Sequence, residues 1–149
     1  MRIEVNKKTK RVERYRDKIN VIQERCGEIT EWTGEYEVEF YTRDEKTKLA
    51  TYKAFQEVSE SCMDIIAMAC KDEKITPKDD YTNIENTDFI DGRMKDVLVE
   101  ANGLRNRLVH RYNQSDDLIA LVSIKELLPR LEEFVEVVEQ WMQKRLREK

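Results

Sequence analysis

The sequence predicts an all-α protein, an up-down antiparallel bundle of four main helices. Three observations predict it. Four glycines and two prolines, Pro77 and Pro129, in 149 residues leave long stretches without a breaker. Charged residues make up 39% of the chain, which suits helices with solvated outer faces. Apolar residues recur at spacings of three and four, and only one segment alternates like a strand, with no second to pair with it. At this length, with 40% hydrophobic residues, one core and a single domain over 1–149 are expected.

The elements follow in chain order. Residues 7–32 read as a helix, with Tyr15, Ile19, Ile22, Cys26 and Ile29 on one face and Gly27 or Gly34 as possible interruptions. EYEVEFYTR at 35–43 is the weakly alternating stretch and is expected to be a linker or a helix turn. Asp44 then caps a long helix, 45–72, whose apolar positions are Leu49, Tyr52, Phe55, Val58, Cys62, Ile65, Ile66 and Ala69. Residues 74–91, rich in Asp, Asn and Thr around Pro77, are expected to be a loop holding one helical turn near Asn83–Asn86. A third long helix spans about 90–113, stopped by Asn113, Gln114 and Ser115. The last runs from Asp116 to the end, with apolar positions from Leu118 through Trp141, and is expected to kink at Pro129, which lacks a backbone donor.

The formal net charge of −4 argues against non-specific duplex binding by the field of the whole molecule. Basic residues crowd three places, Lys7 to Lys18, Arg105 to Arg111 and Lys144 to Lys149, and such runs are ordinarily solvated faces. Cys26, Cys62 and Cys70 have no zinc-ligand spacing and read as buried thiols of a reducing compartment. MRIEVNKKTK at the start lacks the apolar region of a signal peptide, and no apolar run approaches the ~20 residues of a membrane span. A soluble cytoplasmic protein with no membrane association is expected.

The sole histidine lies in Arg105-Asn106-Arg107-Leu108-Val109-His110-Arg111-Tyr112. At about 100° per residue, Val97, Ala101, Leu104 and Leu108 form the bundle-facing stripe, and Asp96, Glu100, Arg107 and Arg111 a solvated arc. The remaining arc mixes Leu98, Val99, Val109, Asn102, Asn106 and Gly103 with Arg105, His110 and Tyr112. Apolar groups interleaved with hydrogen-bonding ones suit a second interface or a cleft. Arg105 and His110 diverge by about 140°, so one straight helix does not aim both at one group, whereas a two-fold dimer along this arc could. Asn106, one turn before His110, is placed to orient the ring.

Imidazole gains and loses a proton near neutrality, making His110 the general base or acid of choice. Arginine matches phosphate with a planar fork, and Arg105 would stabilise charge on a phosphorus centre. Such groups suit metal-free phosphodiester transesterification through an RNA 2′-hydroxyl. Against this stands the plainer reading of His110 as a capping or interface group and of Arg107 and Arg111 as surface charges.

Arg105, four residues, His110, one residue and Tyr112 reproduce the Arg-x4-His-x-Tyr signature, and GLRNRLVHRY resembles the core of HEPN-domain proteins of the HepT toxin subfamily. CMDII at 62–66 is similar to that family's apolar-Asp-apolar segment, and Asp116-Asp117 follow the motif as they do there. The resemblance implies a HEPN-like bundle forming a homodimer through the third helix, with a composite cleft. It implies a metal-independent endoribonuclease toxin of a type II/VII-like toxin–antitoxin pair, with RNA as substrate and no cofactor. It implies a partner, a minimal nucleotidyltransferase (MNT) antitoxin, that transfers AMP to Tyr112. By the same resemblance Arg105 and His110 are catalytic and Asn106 supporting. Asp64 is assigned a supporting role, either at the cleft or on the buried side of the second helix, where a carboxylate needs a partner. The competing readings are a non-catalytic nucleotide-binding subunit of a nucleotidyltransferase and a purely structural dimerisation domain.

Overall fold

The computed structural model describes the backbone of residues 2–34, 36–110 and 117–147, and the side chains of 7–145 within those ranges. Among the described residues there are six helices and no strand: α1 (Arg2–Thr33), α2 (Val38–Thr42), α3 (Glu45–Asp72), α4 (Asp80–Asn86), α5 (Gly92–Val109) and α6 (Asp117–Arg147).

The apolar face of α1 is buried as its spacing requires, with Tyr15, Ile19, Ile22, Cys26 and Ile29 each at most 3% exposed. Gly27 does not interrupt the helix; it lies on the outer side with open space around it. Burial of the opposite face outweighs the ~1 kcal/mol that a mid-helix glycine costs. The helix stops at Gly34, whose φ of +53° lies in the left-handed region that favours a residue without Cβ and whose N–H donates to the Thr30 carbonyl at 2.8 Å. Between Gly34 and α3 the chain forms α2, one short helix anchored by buried Val38 and Tyr41, so the stretch is the helix turn of the two expected alternatives.

Asp44 caps α3, its carboxylate accepting from the Thr47 N–H at 3.4 Å and from the Thr47 hydroxyl at 2.7 Å. The buried face holds Tyr52, Phe55, Val58, Cys62, Ile65, Ile66 and Ala69. Leu49 departs from the expected pattern and is 54% exposed. At that level the inward position belongs to Lys48, whose ammonium meets Asp117 at 2.8 Å, while the Tyr52 hydroxyl donates to the same carboxylate at 2.5 Å. This buried network ties the first residue of α6 to α3, and hydrogen bonds to Asp117 and Glu45 hold the Lys48 pKa above its ordinary value.

The loop after α3 folds back through Asn83, which accepts from the Lys78 N–H at 2.6 Å and donates to the Lys78 carbonyl at 3.1 Å. Its helical content is larger than one turn near Asn83–Asn86, because Asp79 caps α4 by accepting from the Thr82 N–H. Asp91 caps α5 in the same way through Met94. The third long helix ends at Val109, with His110 as its C-cap. The proposed stop residues Asn113, Gln114 and Ser115 lie outside the described residues. Pro129 sits on an exposed position inside α6, and the helix continues on both sides of it. Leu118, Ile119 and Val122, expected in the core, are exposed, whereas Ala120, Leu121, Ile124, Leu131, Phe134 and Val138 are buried.

Ion pairs fix the helix directions. Arg25 with Glu57, Lys18 with Asp64 and Arg11 with Asp72 run in opposite chain order, so α1 and α3 are antiparallel. Arg105 meets Glu60, and the loop before α5 meets Glu73 through Asp88, so α5 is antiparallel to α3. Asp117 meets Lys48 and Arg145 meets Asp72, so α6 runs parallel to α3 and antiparallel to α1 and α5. The four long helices therefore form the up-down bundle, around one core cluster. Cys26, Cys62 and Cys70 are free thiols within it. No described helix is long and apolar enough to cross a membrane.

Candidate functional site

The buried arc of α5 is wider than the apolar stripe suggests. Ala101 and Leu104 are buried as expected, but so are Leu98 at 0% and Asn102 at 1%, both expected on the interface arc. The reason is that α3 and α6 clasp α5 from two sides, which turns its inward face toward α3. Val97 and Leu108 are correspondingly only half-buried against the core. What remains outward are Val99, Gly103, Asn106, Val109 and His110, with Val99 41% and Val109 49% exposed.

Arg105 emerges where this buried arc meets solvent, with 29% of its side chain exposed. Glu60 of α3 accepts from its Nη2 at 2.9 Å and from its Nε at 3.3 Å. The remaining Nη1 donates to the Asn106 amide oxygen at 2.9 Å, and the Asn106 amide nitrogen donates to the Tyr81 hydroxyl at 3.5 Å. Asn106 is thus engaged with Arg105 and α4. Tyr81 also roofs Gly103, since a Cβ there would meet its hydroxyl at 3.8 Å.

His110 is exposed at the C-cap, its N–H bonded to the Arg107 and Asn106 carbonyls, and its ring has no hydrogen-bond partner among the described residues. Within one chain the guanidinium of Arg105 points toward α3 while His110 points outward, in keeping with the divergence of about 140° along a helix. Asp64 is on the exposed side of α3, with Lys18 at 2.8 Å, and it lines a pocket of about 110 Å³ together with Glu60, Met63, Asp80, Asn102 and Arg105. Burial is the main cause that raises the Asp80 carboxyl above its ordinary value; Arg105 opposes it, and Asp64 and Asp79 add to it. Tyr112 lies outside the described residues.

Glu60, Asp80 and Tyr81 were not singled out by the sequence reading, and Asn102 was placed on the interface arc rather than in the buried wall beside Arg105. Glu60 had a signal, since it lies one turn before Asp64 on the same face of α3. Asp80 and Tyr81 had none, because only the fold brings α4 beside α5. Likewise, the basic run of α1 is not merely solvated, for Arg11 and Lys18 pair with acids of α3. Among the described residues no three His, Cys, Asp or Glu side chains converge as a metal would require.

An up-down helical bundle with an arginine and a histidine five residues apart at the end of its third long helix defines a HEPN-type protein. The chain belongs to the HepT-like family: the Ribonuclease HepT-like model matches residues 22–138. An Archaeoglobus fulgidus protein named "Putative RNase" is 36% identical over 140 residues, covering 90% of this chain and 97% of its own. A second protein of that name from the same organism is 36% identical over 117 residues, covering 74% of this chain and 85% of its own. Among solved structures, a toxin–antitoxin MntA-HpeT complex superposes with a TM-score of 0.76 at 21% identity, covering 86% of this chain and 98% of the other. A tri-AMPylated Shewanella oneidensis HEPN toxin in complex with an MNT antitoxin gives 0.77 at 21%, covering 85% and 97%. These two bear out the all-helical HEPN fold.

Proposed function

We propose that this chain is a metal-independent endoribonuclease, the toxin of a toxin–antitoxin pair, acting in the cytoplasm as a single domain over residues 1–149. The observation that carries the reading is the setting of Arg105: a half-buried guanidinium whose outer edge is already occupied by an anion, the Glu60 carboxylate. An RNA phosphate is of matching geometry and would replace it. Family membership and the names of the Archaeoglobus relatives support an RNase.

In the proposed reaction His110 takes the proton from a 2′-hydroxyl, and the freed oxygen bonds to the adjacent phosphorus. Arg105 stabilises the added negative charge, and Asn106 holds Arg105 in place. The bond from phosphorus to the 5′-oxygen breaks, that oxygen takes a proton from solvent water while the His110 imidazolium returns its own to solvent, and a 2′,3′-cyclic phosphate remains. Because Arg105 and His110 of one chain diverge, the site is built between two copies meeting along the α5 face that carries exposed Val99 and Val109, with Arg105 from one copy and His110 from the other. Asp64 supports the site from α3, through the pocket it shares with Arg105.

An MNT antitoxin is the proposed partner, adding AMP to Tyr112; the bulky negative charge would exclude RNA phosphates from the cleft. The HEPN–MNT complexes among the structural neighbours support such a partner. The test is complementation. Arg105→Ala and His110→Ala should each abolish RNA cleavage, and an equilibrated equal mixture should recover about a quarter of wild-type activity, since half the dimers are mixed and each keeps one intact site. No recovery, with mixed dimers verified by native mass spectrometry, would contradict the composite site.

A further inference from the structure

The pocket beside Arg105 has a chemistry that phosphate binding does not explain. Three carboxylates, from Glu60, Asp64 and Asp80, reach it together with Asn102. Two of them are neutralised: Glu60 is paired with Arg105 and Asp64 with Lys18, each within 2.9 Å. Asp80 has no hydrogen bond or ion pair among the described residues. Independently, Asn102 is 1% exposed, and its Oδ1 is a buried acceptor without a hydrogen-bond partner. An unmade bond at such a group is costly, and a fold tolerates it where a ligand completes it. The carboxylates are not arranged as metal ligands.

We propose that this pocket is a base-recognition subsite that takes the donor edge of a guanine in the RNA whose phosphate lies on Arg105. The inference rests on the ribonuclease reading and adds to it the identity of the base beside the scissile phosphate. A carboxylate offers two adjacent acceptors and no donor. Guanine is the RNA base whose Watson–Crick edge carries two adjacent donors, N1–H and the N2 amino group. Uracil would set a carbonyl oxygen against Asp80, while adenine and cytosine would set a ring nitrogen acceptor there. The Asn102 amide satisfies its remaining capacity on the same edge. At about 110 Å³ and open at its mouth, the pocket admits a base edge, while sugar and phosphate stay outside near Arg105. The negative charge of Asp80 would repel a phosphate from the pocket itself, which fixes which part of the nucleotide enters.

The experiment uses 2′-fluoro-substituted tetranucleotides, which cannot undergo 2′-hydroxyl attack, with one variable base in a uracil background. Their affinity for the full-length, unmodified protein is read by fluorescence anisotropy. The guanine form should bind about five- to hundredfold more tightly than the all-uracil form, the range of a good bidentate base contact. Replacing guanine by hypoxanthine, which lacks the N2 amino group, should remove most of that preference without touching the protein. Asp80→Asn should reduce it to within about twofold, and Arg105→Ala should weaken all forms alike. Binding of all four forms with equal affinity, or a guanine preference that survives both Asp80→Asn and the hypoxanthine change, would overturn the subsite. If RNA is bound and cleaved without base preference, only the subsite falls; if no RNA is bound or cleaved, the ribonuclease reading falls with it.

Discussion

Asp117→Ala should cost the fold about 3 kcal/mol. The Lys48 and Asp117 side chains are 7% and 8% exposed, with their charged atoms 2.8 Å apart. Removing one partner of a buried pair typically costs about 3–5 kcal/mol, a range that already contains the hydrogen bonds lost with the carboxylate, here that of the Tyr52 hydroxyl. Glu45 offsets part of this, since it stays 2.9 Å from the Lys48 ammonium and is itself 67% exposed. Urea denaturation followed by circular dichroism reads the loss directly. With a slope of about 1–3 kcal/mol per M, the midpoint should fall by about 1–3 M. A companion carrying Lys48→Met, Tyr52→Phe and Asp117→Leu should keep most of the stability, because apolar replacements of a buried pair are often neutral. A loss below about 1 kcal/mol for Asp117→Ala would refute the reasoning. The network also holds the start of α6 against α3.

Glu60→Gln should tighten RNA binding by up to about fivefold, because the half-exposed pair it breaks is worth at most about 1 kcal/mol and competes with phosphate; anisotropy with a single-stranded RNA reads it, and weaker binding would contradict the competition. Cys26 and Cys62 should resist a thiol reagent at pH 8 in the native protein and react in denaturant, since burial pushes the Cys26 thiol up to about 12 and raises Cys62 as well. The same shift has a pH signature. Between the ordinary value of 9.0 and about 12 the folded chain keeps a proton at Cys26 that the unfolded chain loses, so stability falls as pH rises, by about 1.4 kcal/mol per unit from this group. Alkaline denaturation midpoints that move later in Cys26→Ala, relative to its stability at pH 7, would agree.

The bundle was legible because its signals are local and repeated: the faces of α1 and α3 follow the period of three and four, and Asp44 announces its cap. The exceptions are places where a distant element decides. Leu49 is turned out because Lys48 is claimed by Asp117, 69 positions away. Leu98 and Asn102 are turned in because α3 lies against a side of α5 that its own apolar stripe does not mark. At the site, Arg105 and His110 were legible as a motif, and their divergence followed from helix geometry alone. Glu60, Asp80 and Tyr81 were not, because the packing of α3 and α4 against α5 is what brings them to Arg105.

The central claim is tested most directly by incubating single-stranded RNA with the purified protein in excess chelator, beside His110→Ala, after intact mass establishes that Tyr112 carries no AMP. The account predicts cleavage that survives the chelator, vanishes with His110→Ala and leaves 2′,3′-cyclic phosphate ends. Intact RNA with the unmodified wild-type protein, or cleavage undiminished in His110→Ala, would contradict it.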